Sequence, residues 1–149
     1  MPETPQFGTS SNRLLSRLSR EHFGLLAPHL EATDLPNRYR LEIRNRRIEY
    51  VYFLESGFAS VVANGSKDRS IEVGLIEREG MTGLAVLMGT DRTPYDTNIQ
   101  LGGKGWRLDH PRLTKATPIA ARAMPANAGK ARVSPKAKYP PRAASGGVR

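Results

Sequence analysis

From Tyr39 to Gly89 the sequence breaks into short apolar runs, and turn signals separate them: Ser56-Gly57, Asn64-Gly65, Glu79-Gly80 and Met88-Gly89. Runs this short leave no room for long helices. Where apolar residues alternate, as in Tyr39, Leu41 and Ile43 and again in Val51 and Phe53, they turn one face of a strand toward a core. About five to seven short strands at this spacing predict an antiparallel barrel, roll or sandwich.

The segment ahead of these strands, "NRLLSRLSREHFGLLAPHL", has a different period. Leu14, Leu15 and Leu18, then Phe23, Leu25, Leu26 and Leu30, fall at near-helical spacings. Ser19 is placed to cap a second short helix, and Pro28 shortens or kinks it. With 149 residues the chain has room for a single core.

The charge is unevenly distributed. Residues 1–109 hold 14 Lys/Arg and 14 Asp/Glu, whereas residues 110–149 hold nine Lys/Arg and no acid, which accounts for the net +9. The second segment also has ten alanines and six prolines with few large apolar side chains, and such a composition predicts disorder; Pro111, Pro118 and Pro125, seven apart, would each break a helix at the preceding residue. The expected organisation is a flexible N-terminus at 1–11, a folded body at 12–109 and a disordered basic tail at 110–149.

Several functions are excluded or disfavoured by residue type. There is no cysteine, so disulfides, thiolate metal sites and a thiol nucleophile are ruled out. No Ser-His-Asp order, Walker-type loop or HExxH is present, so no catalytic residue is assigned and an enzyme is not expected. His22, His29 and His110 lack metal-ligand spacing, and packing or solvent-facing roles are expected for them. Glu77 and Glu79 read as a wet strand end. Neither a signal-like segment nor a membrane span is visible, so a soluble, cytoplasmic protein without membrane contact is the expectation.

Five arginines, Arg38, Arg40, Arg44, Arg46 and Arg47, crowd "RYRLEIRNRRIEY". They read as the wet face and turn of a hairpin, partly neutralised by Glu42 and Glu49, rather than as a nucleic-acid strip. Asn45 is suited to a left-handed turn position. Trp106 is expected to pack against the β body. "GTDRTP" is consistent either with a polar turn, punctuated by Gly89 and Pro94, or with an anion site at Arg92-Thr93.

The ordered blocks "NRLLSRL", "LLAPHLE", "IEYVYFLESGFASVV" and "RSIEVGLIEREGMTGLAVLMGTDRTPY" resemble the N-terminal sensor domain of bacterial Crp/Fnr transcription regulators over roughly residues 12–108. That resemblance implies a mainly β fold with short N-terminal helices: a cyclic-nucleotide-binding-type β-roll, a jelly-roll-like antiparallel barrel. It also implies that Gly83 to Thr93 matches the phosphate-binding cassette, in which helix N-terminal amides, an arginine and a Ser/Thr hold a cyclic phosphate. Gly83, Leu84, Arg92 and Thr93 fall on the matching positions.

The cAMP-binding members carry Gly-Glu-Leu there, with the glutamate accepting from the ribose 2′-hydroxyl. Leu84 cannot accept, and an unpaired hydroxyl costs roughly 1–3 kcal/mol. The resemblance therefore points to a small-molecule effector other than cAMP, and no cofactor is assigned. A regulator dimer partner is also implied.

In the family a long helix and a helix-turn-helix follow the roll, and neither is visible after Asp109. DNA contact is thus expected only from a full-length form, or nonspecifically through the tail. The abrupt composition break is what a shifted reading frame in a GC-rich gene would produce. The leading expectation is the sensory module of a Crp/Fnr-type regulator, truncated before its helix-turn-helix. The alternative is a stand-alone β-roll whose basic tail binds nucleic acid weakly.

Overall fold

In the computed structural model, which describes residues 3–64 and 69–115, two capped helices lead into the sheets. Asn12 starts α1 (Arg13–Arg17) by accepting from the amides of Leu14 and Leu15, and Ser19 starts α2 (Arg20–Leu26) by accepting from His22 N. Pro28 closes this lead as a 3-10 turn, Ala27–His29, in line with the short second helix that the sequence predicts.

Seven strands follow among the described residues: β1 (Glu31–Leu35), β2 (Arg40–Glu42), β3 (Tyr50–Leu54), β4 (Phe58–Asn64), β5 (Ser70–Ile76), β6 (Asp96–Leu101) and β7 (Gly103–Asp109). Their order is β1-β7-β3 in one sheet and β2-β6-β4-β5 in the other, and every pairing is antiparallel. Gly57 turns β3 into β4 at φ 74°, a region open to glycine, and Asn45 takes the left-handed φ of 59° expected of it. The mainly antiparallel roll matches the predicted fold class.

β3 is buried on both faces, so the one-sided pattern read from Val51 and Phe53 was incomplete. Those two side chains enter a core with Leu15, Leu18, Phe23 and Leu26 of the helical lead. Tyr52 and Leu54, pointing the other way, join Leu35, Leu41 and Ile99 inside the roll. A strand placed between a helical layer and a second sheet loses its wet face, and alternation disappears with it.

Two boundaries differ from the sequence expectation. Ser10 Oγ and Ser11 N donate to the Glu55 carboxylate, both at 2.5 Å, and Phe7 packs edge-on against Phe23 at 5.7 Å. The N-terminal arm is therefore anchored where a flexible segment was expected. The ordered body also runs past Asp109, because residues 110–115 are helical.

Asp109 caps this last helix through Arg112 N at 3.0 Å, and Leu113 is fully buried in the core beside the helical lead. Pro111, read as a helix breaker, sits in the first turn, where its missing N–H has no helical acceptor to lose. The remainder of the expected tail, 116–149, lies outside the described residues.

Candidate functional site

The cassette-like segment docks on β3 before it turns into a helix. Thr82 N donates to Tyr52 O at 3.0 Å, Thr82 Oγ1 accepts from Tyr52 N at 2.9 Å, and Met81 bridges Phe53. Gly83 then takes φ 76° and starts the short α3 (Leu84–Leu87). A Cβ at Gly83 would lie 2.2 Å from Val51 Cγ1, so both the conformation and the packing require glycine.

The amide of Gly83 already has an acceptor. Glu42, on β2, receives Gly83 N at 2.6 Å through Oε1 and Thr97 Oγ1 at 2.9 Å through Oε2. Burial pushes its carboxyl above the ordinary 4.5, and the hydrogen bonds from Thr97 and Gly83 partly offset that rise. The sequence reading gave Glu42 a wet role beside the arginines; the structure instead turns it inward to join β2, β6 and α3. A register shift between Arg40 and Glu42 redirects the side chain, which simple alternation cannot anticipate.

Arg92 and Thr93 lie on the loop between α3 and β6, clamped to the arginine-rich turn. Asn45 N donates to Thr93 O and Ile48 N to Asp91 O, each at 2.8 Å. Arg92 Nη1 donates to Asn45 O at 2.9 Å, and its Nε lies 3.7 Å from Asp91. Thr93 is buried, with Oγ1 accepting from Tyr95 N at 3.3 Å. Leu84 is half-buried against the helical core. The groups expected to receive a phosphate thus serve partners within the chain, with Gly83 tied to β2 and Arg92 to the turn at 43–48.

Glu55 is a second residue that sequence reasoning missed. Besides the N-terminal arm it accepts from Trp106 Nε1 at 2.5 Å and from Asn12 N at 3.2 Å, so Trp106 packs with its polar edge satisfied. Asp96 plays a similar part for the turn, accepting from Arg44 N at 2.9 Å and from the Asn64 amide. Neither residue lies in a pattern with a sequence signature; each is found only when distant segments meet.

The histidines have local roles. His22 Nδ1 lies 2.7 Å from Ser19 Oγ, His110 Nδ1 lies 3.1 Å from Ile48 O, and His29 meets Arg112. Among the described residues no group of three His, Cys, Asp or Glu side chains could hold a metal, and no helix is long and apolar enough to cross a membrane.

No family model matches the chain, and no curated protein matches its sequence. Solved structures do match. A regulatory subunit of a cAMP-independent protein kinase A from Trypanosoma brucei, a mutant bound to cAMP in its A site, aligns with TM-score 0.65 and 13% identity over 75% of this chain and 41% of its own. A cyclic nucleotide-binding domain from Methylobacillus flagellatus aligns with TM-score 0.61 and 11% identity over 75% of this chain and 68% of its own.

The sensor domain of the transcriptional regulator DNR from Pseudomonas aeruginosa gives TM-score 0.61 and 11% identity over 74% of each chain. The chain spans about two fifths of the length of the kinase subunits it matches. The fold is therefore a cyclic-nucleotide-binding-type β-roll.

Proposed function

We propose that this chain is the effector-sensing module of a Crp/Fnr-type transcription regulator, with a cassette closed to cAMP. The observation that carries the second half is the Glu42 carboxylate on Gly83 N, 2.6 Å away, where the family resemblance places a phosphate acceptor. A ligand phosphate at that amide would meet a resident carboxylate, and Leu84 offers no acceptor for a ribose hydroxyl. The likeness to a regulator's sensor domain supports the first half.

The helix at 110–115, capped by Asp109, supports an output direction. It leaves the roll beside β3 and β7, packs Leu113 into the same core as Val86 of α3, and so joins the cassette mechanically to whatever follows. An effector that repacks α3 would bias that helix, and in a regulator the helix would bias its partner.

The test is a chimera in which the full chain replaces the sensor of a Crp/Fnr-type regulator, read with a promoter reporter across growth conditions. Output that changes with conditions supports the reading, and constant output from a folded chimera overturns it. The cAMP half is tested on the chain itself: cAMP should leave the thermal midpoint unchanged, and a saturable rise would refute the closed cassette.

The acid-free segment 110–149 favours a second reading, weak nonspecific nucleic-acid binding. DNA affinity that falls steeply with salt and ignores sequence would support it.

A further inference from the structure

A cavity of about 350 Å³ lies against the arginine-rich turn, and Gly83, Leu84, Arg92 and Thr93 do not line it. Tyr50 and Tyr52 enter it from β3, and Tyr39 comes from the segment before β2. Arg107, paired with Tyr52 across β3 and β7, lays its guanidinium over the Tyr50 ring at 4.6 Å. Burial first, and then the neighbouring Tyr39 phenol, pushes the Tyr52 phenol above its ordinary range.

The charges around this cavity do not balance. Its lining includes four guanidiniums, those of Arg40, Arg46, Arg47 and Arg107, against the carboxylates of Glu42 and Glu49. Glu42 is already committed to Gly83 and Thr97. Arg107 is paired with Glu31 at 2.8 Å, and Arg47 lies 3.9 Å from Asp91. Among the described residues, the exposed side chains of Arg40 and Arg46 have no hydrogen-bond or ion-pair partner within the chain, and neither has the Glu49 carboxylate, which leaves two unpaired guanidiniums against one unpaired carboxylate.

From this geometry we infer that the cavity binds a small aryl oxyanion, an aromatic ring carrying a phosphate, sulfonate or carboxylate. The Tyr39 and Tyr50 rings and the Arg107 guanidinium supply a surface for a planar body. Arg40 and Arg46 supply the charge-assisted fork for the oxyanion. The volume suits one ring with its substituent, near the lower end of small-molecule pockets at roughly 300 Å³. This inference does not rest on the transcription-regulator reading, because binding is measured on the chain alone.

The experiment is calorimetric titration of the full chain with phenyl phosphate, with inorganic phosphate as the ring-free control. Saturable one-to-one binding is expected, tighter for phenyl phosphate than for phosphate. Arg40→Ala and Arg46→Ala should each weaken it by about tenfold, the loss of one charge-assisted contact. Tyr50→Leu should remove the preference for the aryl probe and leave phosphate affinity unchanged.

Circular dichroism of each variant checks folding, and Arg46→Lys, which keeps the charge but loses the fork, should fall between wild type and Arg46→Ala. No saturable binding, equal affinity for the two probes, or binding untouched in folded Arg40→Ala and Arg46→Ala would each overturn the proposal. The last result would place the anion on the basic segment 110–149 instead.

Discussion

The cassette and the tyrosine–arginine cavity flank the same turn, residues 43–48, yet their polar groups are satisfied in opposite ways. In the cassette, the Gly83 amide, the Arg92 guanidinium and Thr93 Oγ1 all have partners supplied by the chain. In the cavity the exposed guanidiniums of Arg40 and Arg46 have no partner from the chain, and the unpaired Glu49 carboxylate offsets only one of the two charges. A polar network satisfied within the chain rigidifies a fold, whereas guanidiniums bonded only to solvent can exchange that water for a ligand oxyanion. Resemblance directs attention to the first region; electrostatics directs it to the second.

The largest expected effect is on the cassette side. Gly83→Ala places a Cβ on Val51 at φ 76°, and overpacking together with the left-handed backbone should destabilise the fold by roughly 2–4 kcal/mol. Denaturant midpoints with an unchanged slope would report this directly. A variant as stable as wild type would mean that the segment can leave β3, and the contrast between a rigid cassette and an open cavity would fail.

Glu42→Leu comes next, since it leaves Gly83 N and Thr97 Oγ1 without their acceptor at a cost of about 1–3 kcal/mol. Chemical denaturation at neutral pH measures it. A neutral result would show that water or a neighbouring group replaces the carboxylate.

The raised pKa of Glu42 gives a smaller, pH-dependent effect. The folded state holds its proton more tightly than the unfolded chain, so the stabilising contribution is fully present below the ordinary value of 4.5 and is lost as pH rises through the folded value. Wild-type stability relative to Glu42→Gln should therefore fall as pH is raised across that window, read from urea midpoints in a pH series. A flat difference would place Glu42 in contact with solvent.

The smallest effect belongs to the cavity. Arg40→Ala and Arg46→Ala should change stability by no more than about 0.5 kcal/mol, because neither side chain has a partner to lose. Thermal unfolding followed through Trp106 would show it. A drop comparable to that of Glu42→Leu would make these arginines structural and erase the difference between the two regions.

Much of the fold was legible because it follows from local rules. Ser19 caps its helix, Pro28 ends the lead, Gly57 and Asn45 turn the chain, and the short runs became short antiparallel strands. The cassette positions were legible by resemblance alone, and their internal partners were not. Glu42 sits beside five arginines in sequence and looked like their neutraliser. Its true partners, Gly83 and Thr97, are 41 and 55 residues away, where no local pattern reaches. Asp109 and Pro111 misled for a related reason: a proline that breaks a helix interior is welcome in a first turn, and only the buried Leu113 shows that a turn begins there.

By itself the sequence determined what depends on near neighbours: the helical lead and its caps, the strand-and-turn rhythm, the absence of thiol chemistry, and a basic segment set apart from a charge-balanced body. Tertiary structure alone decided which charges find partners. Hydrogen bonding and desolvation are set by distances between segments far apart in the chain, so only the folded roll could place Glu42 on the cassette amide and leave Arg40 and Arg46 facing an open cavity.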